Sequence, residues 1–376
     1  MNKPEVLNVS DATRAEILAK VAGKRVIVST SGGKDSTATC LFLKELGIPF
    51  EAVFMDTGWE HKDTYKFLDE VLPSIVGPIT KLVYDGPETQ FVGQPDLEEL
   101  ARKYEARLGR RSAMVRLVIH KGMFPSRIAR WCTQYLKTTP MQRYLRSLDD
   151  VIVNAVGIRA EESPSRAALP EWEWNAEYDA DIWRPLIHWT ENDVIDVHTW
   201  GGVPPNPLYL RGTARVGCWP CIFAHKAEIR MLAETDPERV ALITDLERDV
   251  GERARQRYAA KGETFDSQGY DPPTWFVDRS AKVLADGTYP MAMWPIGKAV
   301  QWSKTVRGGK EEERFAPLPH ERGCARWGLC ESSWRKIPKE EEPLDFMAAF
   351  GETDPEAEAR ADKLRGYVQS FDKVGK

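Results

Sequence analysis

Apolar positions in this chain fall into two rhythms that alternate from about residue 11 to residue 200. Short runs rich in β-branched residues, at 26–29, 50–55, 79–84, 151–157 and 181–187, are bounded by turn residues and predict strands. Between them, apolar residues at helical spacing predict helices over Asp11–Val21, 38–46, 97–108 and Glu191–Trp200. Ser10 or Asp11 suits the cap of the first, Gly47 the end of the second, and Thr190 with Glu191 and Asp193 the start of the fourth. Strands alternating with helices predict an α/β fold built on a parallel, doubly wound sheet. Helical patterns at 227–232, 237–261 and 354–371 predict a mostly helical C-terminal extension, which divides the chain into units 1–225 and 226–376.

The first strand runs into Ser29-Thr30-Ser31-Gly32-Gly33-Lys34-Asp35-Ser36, small residues followed by a helix start. Without bulky side chains the loop can close its backbone N–H groups over an anion, and the helix beginning near Ser36 points its positive end at the same place. Phosphate is the natural occupant. This is not the G-x-x-x-x-G-K-[ST] loop, because Asp35 follows Lys34. The second strand ends in Asp56-Thr57-Gly58, and in a parallel sheet that end faces the same crevice as the Gly33 loop if the two strands are neighbours. An Asp in such a turn also serves as an ordinary cap for a helix starting near His61.

Three later stretches carry further candidate chemistry. Arg130 and Lys137 supply positive charge suited to phosphate, with Cys132 between them as a metal ligand or nucleophile. Gly157, Arg159 and Arg166 follow the fourth strand. Cys218 and Cys221, with two residues between them, can converge on one metal centre; Cys132 and either Cys324 or Cys330 would bring the set to four thiolates, which suits iron–sulfur or zinc.

Composition narrows the picture. A hydrophobic share of 42% and a charged share of 29% are those of an ordinary globular protein, and no apolar run is long enough to cross a bilayer, so no membrane partner is expected. The N-terminus lacks an apolar leader segment, which makes the cytoplasm the expected compartment. There, six cysteines point to metal or redox chemistry more than to disulfides. A net charge of −5 gives no global basic field, so any nucleic-acid groove must be local. Trp294, Lys298, Trp302, Lys304 and the stretch 307–310 interleave aromatic and basic residues, as a strand-binding groove or a solvated loop would. Thirteen tryptophans are read as core and loop packing.

S-G-G-K-D-S resembles the pyrophosphate-binding loop of the ATP pyrophosphatase family, which cleaves ATP between its α and β phosphates. The likeness extends in motif order over residues 24–225, through D-T-G at Asp56, R-x-C-T-x-x-x-K-x-x-P from Arg130, G-I-R-A-E-E-S-x-x-R from Gly157, N-P-L-Y from Asn206 and G-C-x-x-C from Gly217. It reaches the phosphoadenylyl-sulfate reductases and, most closely in pattern, the pyrophosphatases of DNA phosphorothioation that hold a four-iron cluster. The resemblance implies ATP and Mg²⁺ as ligands, with Lys34, Asp35 and Asp56 as catalytic residues. It implies nucleotide contacts from Ser29, Ser31, Gly32, Gly33, Ser36, Thr57, Arg130, Lys137, Gly157, Arg159 and Arg166. It also favours a [4Fe-4S] cluster on Cys132, Cys218, Cys221 and Cys330, with zinc as runner-up, and a sulfur donor such as a cysteine desulfurase. The acceptor is left open between DNA, RNA and a small molecule. Two alternatives are adenylyl-sulfate or phosphoadenylyl-sulfate reduction, against which the E-C-G-[LI]-H tail is missing, and the small subunit of sulfate adenylyltransferase, in which the paired cysteines are unexpected.

Overall fold

Strand β1 (Arg25–Thr30) occupies the middle of a six-stranded sheet because its side chains are buried on both faces. It pairs in parallel with β2 (Glu51–Asp56) on one side and with β4 (Ile152–Val156) on the other. Strand β3 (Ile79–Val83) extends the sheet beyond β2, and β6 (Ala180–Trp183) extends it beyond β4, both in parallel. The far edge is β5 (Trp172–Asn175), antiparallel to β6, giving the order β3-β2-β1-β4-β6-β5. The winding direction therefore reverses at β1, and the carboxyl ends of β1 and β4 open the crevice that such a reversal creates. This computed structural model describes residues 2–127, 129–263, 272–277, 293–305 and 327. Cys324, Cys330, the stretch 307–310 and the expected tail helix 354–371 lie outside the described residues.

The doubly wound parallel sheet follows the expectation, with two differences. The strand expected at 181–187 stops at Trp183, because Arg184 donates to the Pro170 carbonyl at 2.8 Å and pairs with Glu173, and Pro185 has no N–H for the ladder. The edge strand β5 was not anticipated; its Trp172 stacks on Trp183 at 4.8 Å. Helix α1 (Asp11–Val21) is capped by Ser10, whose Oγ accepts from Thr13 N–H at 3.2 Å. Helix α2 (Lys34–Leu46) begins two residues before the expected start and ends at Gly47 with φ 72°, a left-handed cap. Leu41, Phe42, Leu43 and Leu46 seat it against Val26, Val28, Val153 and Trp183.

A separate apolar cluster joins the helices Pro95–Leu108 and Ala113–Lys121 to the chain beyond residue 226. The helices Lys226–Thr235, Pro237–Ala259 and Ile296–Ser303 contribute Leu232, Leu246, Val250 and Ile296 to it. Trp59 and Trp275, both fully buried, stack at 4.7 Å within this cluster. Tryptophan thus packs the core, as composition suggested.

Candidate functional site

The loop after β1 is held by contacts from distant parts of the chain. Gly32 takes φ +69°, which lets Ser31 and Gly33 turn inward. Ser36 Oγ accepts from Ser31 N–H at 3.1 Å and donates to the Gly33 carbonyl at 3.1 Å, tying the loop to the first turn of α2. Asn206 donates to the Gly32 carbonyl at 3.2 Å, Tyr209 Oη accepts from Lys34 N–H at 3.0 Å, and His198 Nε2 lies 2.9 Å from the Lys34 carbonyl. Burial holds His198 below the ordinary histidine range, so its imidazole is neutral at pH 7. Being first-turn groups, the N–H of Asp35 and of Ser36 have no carbonyl acceptor within the helix.

A cavity of about 400 Å³ opens beside this loop. Ser29, Ser31, Gly33, Asp35 and Ser36 line one end with Val156, Gly157, Ile158, Glu162 and Arg166. Thr57, Arg130, Cys132, Lys137, Cys218 and Cys221 line the rest, with Met114, Leu136 and Ile222 between. Of the expected nucleotide residues, Gly32, Lys34, Asp56 and Arg159 do not line it. Lys34 is buried, with Nζ 3.3 Å from Glu191 Oε1, 3.3 Å from the Ala214 carbonyl and 3.4 Å from Asp35 Oδ2. Arg159 stands behind Asp35 and pairs with it and with Glu161. Asp56 accepts from Gly58 N–H at 2.9 Å and from the Tyr65 hydroxyl at 2.7 Å, and Arg110 approaches it at 3.8 Å. The cap of the following helix, Lys62–Lys66, is His61, whose Nδ1 accepts from Asp63 N–H at 3.1 Å.

The three described cysteines of the expected metal set line the same cavity, and none is in a disulfide. Their loop is anchored to the turn after β2: Cys218 bridges to Glu60, and Trp219 N–H donates to the Trp59 carbonyl at 2.9 Å. Cys132 and Lys137 come from one helical stretch, Trp131–Thr133 continuing through a π-helical turn at Gln134–Thr138 into Thr139–Arg146. The wide turn suits a functional position. Burial pushes the Cys218 thiol up to about 12 and raises Cys132, while the Cys218 sulfur beside it raises Lys137. Three thiols offer soft ligands beside the half-buried Lys137, although among the described residues no three His, Cys, Asp or Glu side chains close on one ion.

Tyr209, Asn206 and His198 were not singled out as site residues; the N-P-L-Y motif that contains two of them was the available signal. Trp327, midway in sequence between Cys324 and Cys330, packs at 5.8 Å on Tyr209 and at 5.2 Å on His198.

Residues 25–224 match the phosphoadenosine phosphosulfate reductase domain, more than half of the chain. The chain belongs to the phosphoadenosine phosphosulfate reductase family. Within and around it, an uncharacterized 37.8 kDa protein of Escherichia phage 186 is 32% identical over 334 residues, covering 81% of this chain and 96% of the phage protein. An adenosine 5'-phosphosulfate reductase of Allochromatium vinosum is 25% identical over 220 residues, 58% of this chain and 76% of that enzyme. A phosphoadenylyl-sulfate reductase from Candida auris, solved with phosphate, covers 57% of this chain and 98% of its own at 19% identity and a TM-score of 0.38. No helix among the described residues is long and apolar enough to cross a membrane.

Proposed function

We propose that this member of the family is an ATP pyrophosphatase that adenylates an acceptor for sulfur insertion, with a nucleic acid as the acceptor class. The observation that carries the reading is one cavity lined both by Ser31, Gly33, Asp35 and Ser36 of the S-G-G-K-D-S loop and by three cysteines. In the proposed step an acceptor oxygen attacks the α-phosphorus, the bond between that phosphorus and the α,β-bridging oxygen breaks, and pyrophosphate leaves with the electron pair. The N–H groups of Asp35 and Ser36 and the positive end of α2 stabilise the charge growing on the departing pyrophosphate. Arg166, lining the same cavity, adds a positive side chain. Asp35 is the carboxylate that would hold Mg²⁺, and Lys34 positions it from behind. A four-iron cluster on Cys132, Cys218, Cys221 and Cys330, with zinc as the other fit to this donor set, would bring sulfur or electron chemistry to the same cavity. Trp327, three residues from both Cys324 and Cys330 in sequence, lies against the cavity wall at Tyr209, which supports a fourth ligand from this segment.

The test is product analysis: the protein with ATP and Mg²⁺ releases AMP and pyrophosphate, and Lys34→Ala or Asp35→Ala lowers the rate by about a hundredfold or more. Release of ADP and phosphate overturns the reading. The adenosine 5'-phosphosulfate reductase relatives favour a second reading, thiol-dependent reduction of an adenylyl sulfate. Sulfite formed from adenylyl sulfate and a thiol donor, with no pyrophosphate from ATP, would establish it.

A further inference from the structure

Close to the cysteines in sequence stands a cluster of cations that pyrophosphate chemistry does not require. The guanidinium carbons of Arg130, Arg127 and Arg215 lie 5.1, 5.8 and 5.9 Å from the centre of the Phe223 ring. All three arginines are exposed, Phe223 is half-buried, and Arg130, Arg215 and Phe223 line the cavity itself. Among the described residues none of the three has a carboxylate partner, whereas neighbouring Arg166, Arg159 and Arg211 pair with Glu162, Asp35 and Asp63. The negative face of one ring offsets only part of the repulsion among three guanidiniums, so the cluster is completed by an anion. Guanidinium groups match phosphate oxygens in pairs, which makes a phosphate the fitting anion.

Placement along the chain says which phosphate. Arg130 precedes Cys132 by two residues, Arg215 precedes Cys218 by three, and Phe223 follows Cys221 by two, so cations and ring surround the thiols. The phosphates of ATP have their own cradle at the end of β1. A free mononucleotide would bring one phosphate group to three cations, whereas a strand brings one at every step. We propose that Arg127, Arg130, Arg215 and Phe223 form a docking site for single-stranded nucleic acid, the arginines holding consecutive backbone phosphates and the ring taking a base. A ring that takes a base needs that base unstacked, which calls for a single or locally opened strand. The inference deepens the proposed function and rests on it, since an acceptor must reach both the α-phosphorus and the thiols.

The experiment is fluorescence anisotropy of the full chain with a short labelled oligothymidylate across a salt series, beside ATP turnover without nucleic acid. Each phosphate contact on a single strand contributes about 0.7 to the slope of log K against log salt. The R127Q/R215Q double variant is therefore expected to bind more weakly, with a slope reduced by about 1.4, and Arg127→Gln alone, outside the cavity lining, is expected to keep its basal release of pyrophosphate. Phe223→Leu is expected to weaken binding with the slope unchanged, because stacking releases no counterions. No strand binding by the wild type, or wild-type affinity and slope in R127Q/R215Q, overturns the docking site. An equal loss of affinity for ATP in the double variant overturns it as well, by assigning the arginines to the nucleotide. Absence of ATP cleavage by the wild type refutes the proposed function and leaves the strand-binding result to decide the docking site by itself.

Discussion

Gly157→Ala perturbs the site without removing any of its chemistry. Gly157 follows β4, and a Cβ built on it would lie 2.7 Å from the carbonyl carbon and oxygen of Asp35 and 2.8 Å from Ser36 N. All three atoms are backbone in the first turn of α2, so no side chain can swing aside. Restoring ordinary contact near 3.4 Å requires the β4 loop and the start of α2 to separate by roughly 0.7 Å, an overpacking that costs about 1–3 kcal/mol. For a chain of this size that is a fall in Tm of roughly 1–4 °C. The same displacement moves the Asp35 carboxylate and the Ser36 amide relative to the phosphates, and errors approaching 1 Å in such positioning cost about a hundredfold in rate. Thermal unfolding and pyrophosphate release measured on the same preparation check both effects. Gly297→Ala is the control: its Cβ meets nothing within 4 Å on the exposed side of the helix Ile296–Ser303, and it should leave Tm level or raise it slightly. A Gly157→Ala protein with wild-type Tm and wild-type turnover would refute the reasoning.

Other residues give further tests. Arg116 is buried and donates to both oxygens of Glu105 at 2.8 Å, to Glu98 at 2.7 and 3.1 Å and to the Thr89 carbonyl at 3.0 Å; Arg116→Ala leaves buried Glu105 without its cation, while Glu98 keeps Arg102 at 2.8 Å, and should cost about 3 kcal/mol or more by denaturant titration. Glu247 is buried and accepts from Trp275 N–H at 2.8 Å and from Ile296 N–H at 3.1 Å. Burial raises its carboxyl from 4.5 to about 7, so folding favours the protonated acid; that contribution is complete below pH 4.5 and is lost as pH rises through 7. Glu247→Gln keeps an acceptor and should flatten the Tm-against-pH profile between pH 4.5 and 7, and an unchanged profile would count against the assignment. Tyr209→Phe leaves the buried Lys34 N–H without its acceptor and should destabilise the protein by about 1–3 kcal/mol in chemical unfolding.

What the sequence disclosed follows from where each element lies. The central strands were legible because burial on both faces makes them continuous apolar runs, as at Val26–Val28 and Ile152–Val153. The helix Ala113–Lys121 escaped notice for the opposite reason: seven consecutive residues from Ala113 to Ile119 are buried, so no polar face marks a helical period. Strand β5, Trp-Glu-Trp-Asn at a sheet edge, is too short and too polar to stand out from a loop. Within the site, the loop motif announced Ser31, Gly33, Asp35 and Ser36, which line the cavity, but nothing local announced their supports. Tyr209 and His198 reach Lys34 from more than 160 residues away, and only the fold makes them neighbours.

The same long-range logic explains why the chain beyond residue 226 belongs to the chemistry and not merely beside it. The cysteine loop has little regular structure of its own, so its position depends on what grips it. From one side the turn after β2 does so, through Cys218 with Glu60, Trp219 N–H with Trp59, and the Trp59 indole N–H donating to the Pro220 carbonyl at 3.3 Å. From the other side the long helix Pro237–Ala259 reaches in with its first turn. Its cap Asp236 accepts from the Trp219 indole at 3.1 Å, and its Arg239 lies 4.6 Å over the Trp59 ring and donates to the Glu60 carbonyl at 3.4 Å. A guanidinium buried against that ring is unfavourable by itself, and burial holds Arg239 below the ordinary arginine range. Two elements far apart in sequence therefore clamp one turn, and the cysteine loop takes its position from both.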